Sequence, residues 1–265
     1  MKVTFMGTGT SVGVPAIGCR CAVCASTDPR NKRTRASVLL RCDGTQVLID
    51  ASIDLRQQVL REEIDALDAV LVTHGHADHV FGLDDVRMFN FRQKRPMPIH
   101  GSPRTLAELQ RTFWYVFQTR TDASSRPQLA LEPVDGPFRV GGLDVVPFTI
   151  LHGDAPILGY RMGRFAYITD GKSVPPETLP LLRDLDVLVI NALRRTPHPT
   201  HFTLEEALRT IRVIAPQRAF LTHLSHEFDH ASLAGELPPG VSPAHDGLTL
   251  EVDHRIPDTG SPEPD

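Results

Sequence analysis

The chain is short of cysteine, of tryptophan and of any surplus of charge. Its 265 residues include four cysteines and one tryptophan, and 28 Lys plus Arg face 32 Asp plus Glu, a formal charge of −4. Such a balance speaks against a dedicated nucleic-acid-coating protein, whose basic excess would show at this level. No apolar run approaches the roughly 18–20 residues that span a bilayer. Residues 1–7 lack the long apolar stretch of a secretory signal, so a soluble cytoplasmic protein is expected. Repeats and interdomain linkers are also missing. The Pro- and Asp-rich residues 255–265 are expected to form a disordered tail, which leaves 1–254 as one domain. With 41% apolar and 23% charged residues, that length supports a substantial core without covalent staples.

Four cysteines make no disulfide framework in a chain of this size. Three of them crowd into Cys19-Arg20-Cys21-Ala22-Val23-Cys24, inside a Cys-rich loop at 18–26. In a reducing compartment, thiols at this spacing are metal ligands more often than disulfides; a redox thiol cluster is the alternative. Cys42 lies in an apolar strand and reads as a small buried residue.

Short runs of Val, Ile, Phe and Thr predict strands at 2–6, 36–41, 46–49, 69–73, 144–150, 158–162, 165–169, 187–190, 218–222 and 248–252. Ser102-Pro103 predicts an N-cap and first turn of a helix running to about Phe117. Thr203-Leu204-Glu205-Glu206 is a capping box, and behind it Leu204, Ala207, Leu208, Ile211 and Ile214 share one apolar face. Two further helices are predicted at 54–64 and 175–183. Two β-rich halves with helices outside imply a layered α/β sandwich. Gly7-Thr8-Gly9 follows a strand, but Gly13 and Pro15 come next instead of a helix, so nucleotide-cofactor binding is excluded.

The chemistry concentrates in His74-Gly75-His76-Ala77-Asp78-His79, which places four potential metal ligands within six residues directly after an apolar strand. Three histidines and an aspartate add no packing value there. Three more apolar strands end on a ligand-type residue: 145–151 on His152, 165–169 on Asp170, and 218–222 on His223. Four such endings suggest one shared rim, where α/β sheets place their sites. Seven ligands exceed one tetrahedral zinc and suit a pair of ions sharing an activated water. The mixed nitrogen and oxygen set accepts zinc, manganese or iron. Downstream, Arg194, Arg195 and His198 read either as phosphate contacts, since guanidinium binds phosphate in bidentate fashion, or as a solvated basic turn.

The HxHxDH block with its downstream His, Asp and His resembles the metallo-β-lactamase superfamily of binuclear hydrolases, over residues 5 to about 252. The resemblance implies a four-layer αββα sandwich. It also implies one metal on His74, His76 and His152, and a second on Asp78, His79 and His223, with Asp170 bridging. Asp50 matches an aspartate that orients the ligand loop from behind. Gly7 to Pro15 together with Cys19, Cys21 and Cys24 resemble the PhnP-like phosphodiesterases. Those carry a structural zinc on three such cysteines and a histidine, which His226 matches. In that family a histidine at the position of His201 assists proton transfer, so the resemblance makes His201 the general acid. Asp78 is expected to be required for turnover.

The implied function is metal-dependent hydrolysis of a small phosphodiester, cyclic ones included, with two zinc or manganese ions at the active site and one structural zinc. The expected partner is this small substrate, with no membrane and no nucleic acid beyond nucleotides. Homodimers are common among such proteins. Three alternatives stay open on the same scaffold: an RNA 3′-end processing nuclease, a carbonyl hydrolase (lactonase, thioesterase or β-lactamase), and a non-catalytic accessory metal-binding protein.

Overall fold

In the computed structural model, which describes residues 1–118 and 125–254, the apolar runs are gathered into two seven-stranded sheets. The tail expected at 255–265 lies outside the described residues. The first sheet is built from β1 (Lys2–Gly7), β2 (Ser37–Cys42), β3 (Thr45–Ile49), β4 (Ala69–Leu71), β5 (Met97–Gly101) and β6 (Leu129–Pro133). The second holds β7 (Phe138–Val140), β8 (Leu143–His152), β9 (Ala155–Met162), β10 (Phe165–Tyr167), β11 (Val187–Asn191), β12 (Arg218–Thr222) and β13 (Val241–Pro243). The chain then returns to the first sheet as β14 (Thr249–Glu251), antiparallel to β1. Strands β3 to β6 run parallel, as do β10 to β13.

Side-chain alternation sorts each strand between two layers. On β2, Val38 and Leu40 join Val3, Phe5, Val47 and Ile49 in the core between the sheets, where they meet Val145, Tyr160, Met162, Tyr167 and Val189. Leu39 and Leu48 face outward, with Leu55, Leu83, Phe89, Leu106 and Leu109. Those residues belong to α2 (Leu55–Arg61), α4 (Arg87–Gln93), α5 (Pro103–Thr112) and the 3-10 turn at Phe81–Val86 before α4. The short α1 (Ala22–Ala25) lies in the cysteine loop, and α3 (Ala77–Val80) in the histidine block. On the second sheet, Leu188 and Ile190 face outward against Leu204, Ala207, Ile211 and Ile214 of α6 (Leu204–Ile214), with Leu233 of α7 (His230–Glu236) in the same cluster. The result is helix, sheet, sheet, helix: the αββα sandwich the resemblance implied.

Three expectations need correction. Residues 175–183 are not an α-helix; they hold a 3-10 turn at Leu179–Leu182. Pro175, Pro176 and Pro180 remove three backbone donors from nine residues, too many for an α-helical ladder. Helix α5 ends at Thr112 and not near Phe117. The aromatic residues that follow are poor helix formers, and turning the chain there buries Phe113 and Val116. Strands β5, β6, β7 and β13 were not foreseen. Three of these are sheet edges, where short length and prolines such as Pro133 and Pro243 weaken the strand signal. Among the described residues, no helix is long and apolar enough to cross a membrane.

The capping box forms as read: the Thr203 hydroxyl accepts from the Glu206 N–H at 3.2 Å, and the Glu206 carboxylate accepts from the Thr203 N–H at 2.8 Å. Thr203→Ala should lower stability by about 1 kcal/mol, a fall in Tm of about 2–4 °C for a domain of this size. An unchanged calorimetric Tm would show that the box contributes nothing.

Candidate metal centre

Five chain segments deliver their donors to one rim. From the first sheet come Asp50, directly after β3, and the histidine block after β4; from the second come His152 at the end of β8, Asp170 after β10 and His223 after β12. Three of these residues leave ordinary backbone space: Asp50 has φ 61°, Asp170 φ 55° and His223 φ 54°. Left-handed backbone is uncommon for a residue with a Cβ, aspartate and histidine being among those that adopt it more often. The turn it makes swings each side chain off its strand and over the sheet ends.

Hydrogen bonding behind the cluster settles which ring nitrogens face it. His152 Nδ1 lies 2.7 Å from the Asp170 carbonyl and 2.9 Å from the Thr200 carbonyl. Carbonyls only accept, so Nδ1 carries the proton and Nε2 is a bare lone pair. His79 Nδ1 is 2.7 Å from Asp50 Oδ2 and donates to it. The Thr73 hydroxyl lies 2.9 Å from the same carboxylate and donates there, so it accepts from His74 Nδ1 at 3.0 Å. In both rings a neutral tautomer protonated at Nδ1 leaves Nε2 as the ligand atom; burial acts to lower the His79 pKa, yet Asp170 and Asp50 hold it well above the ordinary imidazole value, so a cation at its Nε2 would displace a proton.

Those nitrogens converge on two donor sets, one of His74, His76, His152 and Asp170, the other of Asp78, His79, Asp170 and His223, each with its ligand atoms within 4.8 Å of one another. His74 Nε2 lies 2.9 Å from His76 Nδ1. His79 Nε2 is 3.2 Å from Asp78 Oδ2 and 3.3 Å from Asp170 Oδ1, and His223 Nε2 is also 3.3 Å from Asp170 Oδ1. The buried Nε2 of His79 and both ring nitrogens of His223 have no hydrogen-bond partner. Burial holds the pKa of His74 well below the ordinary imidazole value, which keeps it neutral. Burial also acts to raise Asp170, yet His223 and His79 hold its carboxyl well below the usual range. Neutral imidazoles and ionised carboxylates are the donors that divalent transition metals take. Such donors crowded at this separation, with buried ring nitrogens left unpartnered, fit a divalent metal that would take the place of their protons.

Asp50 is the fully buried support of this arrangement, accepting from the Thr73 N–H at 2.9 Å as well as from Thr73 Oγ1 and His79. Burial raises its pKa against the pull of those donors. Thr73 and the Thr200 carbonyl escaped the sequence reading, because a threonine ending a strand and a backbone oxygen carry no motif of their own. A signal existed for the former: threonine precedes His74, Asp170 and His223 alike, and Thr169 Oγ1 donates to Asp170 Oδ1 at 2.7 Å.

The cysteine loop meets the same rim from behind. Cys19, Cys21, Cys24 and His226 form a separate four-ligand group. His226 Nδ1 is 3.3 Å from Cys19 Sγ and 3.4 Å from Cys21 Sγ, near the ~3.6 Å edge expected from typical zinc–sulfur and zinc–nitrogen bonds in a tetrahedron. The Cys24 N–H and the His226 ring pull the Cys21 thiol down to about 6, whereas burial pushes Cys24 up to about 11. Leu224 bridges Gly9, and the buried Arg33 donates to the carbonyls of Ser225 (3.3 Å) and Phe228 (2.8 Å). The loop bearing His223 and His226 is thereby fastened to the N-terminal segment. Arg33 was likewise missed; an arginine in a polar stretch gives no hint of burial.

The basic segment divides. His201 Nε2 lies 3.1 Å from Asp170 Oδ2, which places it at the centre, and its Nδ1 is 3.2 Å from His198 Nδ1, which stands behind it. The two arginines are engaged elsewhere. Arg194 donates to the carbonyls of Thr196 and Pro197 in its own loop. Arg195 pairs with Glu236 at 2.7 Å and lies over the Phe228 ring.

Asp50→Asn tests the support. Whichever way the amide turns, its NH₂ meets a donor, either His79 Nδ1–H or the Thr73 N–H; relief at His79 moves that proton to Nε2 and blocks it as a ligand. Metal affinity measured by competition with a chromophoric chelator should fall about 10- to 100-fold, and unchanged affinity would refute the tautomer assignment. Cys21→Ser should release one bound cation and lower Tm, because metal bound only by the folded state stabilises it; equal metal content and equal Tm would remove that site.

Comparison with known proteins shows the family and the fold. A family model described as "Beta-lactamase superfamily domain" matches residues 45–224. An octanoyltransferase of Porphyromonas gingivalis is 43% identical over 263 residues, covering 96% of this chain and 52% of that protein; the chain thus spans about half the length of this curated relative. A solved diphosphatase of the PhnP family superposes with a TM-score of 0.90 at 40% identity, covering 96% of this chain and 99% of that one. Zn(2+)-bound PqqB from Methylobacterium extorquens shares the fold, with a TM-score of 0.76 at 23% identity over 95% of this chain and 100% of that one. The chain belongs to the metallo-β-lactamase superfamily and, within it, to the PhnP family.

Proposed function

We propose that this metallo-β-lactamase-fold hydrolase cleaves phosphodiester or phosphoanhydride bonds at a pair of divalent cations, zinc or manganese, with a third, structural zinc on Cys19, Cys21, Cys24 and His226. The observation that carries the reading is the double orientation of Asp170. Its Oδ1 faces His79 and His223 at 3.3 Å each, while its Oδ2 faces His74 at 3.8 Å. One carboxylate therefore serves both donor sets. Cations held there supply Lewis acidity toward phosphoryl oxygens and an acidified water.

The chain's own residues do the rest. Asp170 fixes the spacing of the two sets, and Asp78 completes the second. His201 presents Nε2 to the cluster through Asp170 and Nδ1 to His198. An imidazole with a donor on one side and an acceptor on the other relays a proton, giving Nε2–H to the departing oxygen while Nδ1 takes one from His198. The similarity to a diphosphatase supports phosphorus as the electrophile. The octanoyltransferase relative does not favour acyl transfer here, since about half of that protein lies outside the match.

Protein stripped with chelator and reloaded with manganese or zinc should hydrolyse bis(4-nitrophenyl) phosphate or a 2′,3′-cyclic nucleotide only when loaded. His201→Ala should lower kcat by about 10²–10⁴-fold with bound metal unchanged. Full activity in the stripped protein, or a preference for lactones and thioesters over every phosphorus substrate, would overturn the proposal.

A further inference from the structure

A cavity of about 320 Å³ opens beside the donor cluster, with His76 and His152 on one wall and Arg104, Glu108, Arg111 and Thr112 of α5 on the other. Its size falls at the lower end of small-ligand sites. Arg104, Glu108 and Arg111 recur at helical spacing and so share one face of the helix. That face stands directly against the ligand block: a Cβ built on Gly75 would lie 2.5 Å from Glu108 Oε2. Glycine at this position keeps the passage between cluster and helix open.

Charge on this wall is unevenly spent. Arg104 Nε donates to Glu108 at 3.2 Å, and the two offset each other. Arg111 forms no hydrogen bond or ion pair among the described residues, so the wall keeps one uncommitted guanidinium facing the same cavity as two metal-type histidines. Arg194 and Arg195, the arginines that the sequence offered for phosphate, are held by their own loop and by Glu236.

We propose that Arg111, beside the Arg104–Glu108 pair, receives the second phosphate of an organic diphosphate whose first phosphate occupies the donor cluster. This rests on the phosphorus reading above and names its substrate class: a diester of diphosphoric acid. Water adds its oxygen to the near phosphorus, and the bridging P–O bond breaks with its electron pair leaving on the far phosphate. Two phosphate monoesters result, and the two protons of water pass to solvent. The arginine wall holds the departing group, with planar donors matched to phosphate oxygens.

The test pairs binding with turnover. Arg111→Ala and the Arg104→Ala/Arg111→Ala double variant change exposed side chains, and their Tm should match that of the unaltered protein. By calorimetry on manganese-loaded protein, adenosine α,β-methylene diphosphate should bind at least tenfold more weakly to both variants, and adenosine monophosphate within twofold of its original affinity. Arg111→Lys should fall between. KM for a dinucleoside diphosphate should rise at least tenfold, with bis(4-nitrophenyl) phosphate unaffected. Equal weakening toward the mono- and diphosphate ligands, or no weakening, overturns the subsite. Arginine-dependent diphosphate binding in a protein that hydrolyses no phosphorus ester would uphold the subsite and refute the hydrolase reading instead.

Discussion

One buried carboxylate sets the protonation pattern on which the cluster depends. Asp50 has no access to solvent, and every group its carboxylate touches donates to it. Through His79 directly and through Thr73 to His74, it turns two imidazoles so that their Nε2 atoms face forward. A carboxylate can do this because it only accepts; a group with mixed polarity in the same space leaves the rings free to choose. The left-handed backbone at Asp50 is part of the same device, since it lifts the carboxylate off β3 and lays it under the loop that follows β4.

Much of the centre was legible in the sequence because its parts lie close together in the chain or at the ends of apolar runs. Histidines 74, 76 and 79 with Asp78 announce themselves, and His152, Asp170 and His223 each follow an apolar strand. The sandwich follows from alternation along strands such as β2 and β11, whose two faces enter different cores. What stayed hidden depends on partners remote in sequence. Arg33 is buried only because the loop at 225–228 closes over it. Arg194 and Arg195 look alike on paper as phosphate ligands, yet the first folds back on its own loop and the second is claimed by Glu236. The edge strands β6, β7 and β13 were missed for a different reason: they are short or proline-marked, as exposed edges are.

Strain and fastening are concentrated on the same residues. His223 holds a conformation uncommon for histidine, two ring nitrogens without partners, and full burial. Such a residue persists where its surroundings over-determine it. Here the surroundings are the Gly9–Leu224 bridge, the Arg33 contacts and the four-ligand group three residues on. The cysteine loop therefore stands as a rear brace behind the segment that carries His223.

The two donor sets draw their members evenly from both halves of the sandwich. His74 and His76 come from the first sheet and are completed by His152 and Asp170 of the second; Asp78 and His79 are likewise completed by Asp170 and His223. Elsewhere the sheets are held face to face chiefly by apolar packing, which is strong but non-directional. At this rim the contact is directional, and a cation in either set is a rivet through both plates. A cation bound there would tie the rims of the two layers together, so that metal loading and the unfolding of both sheets would be coupled.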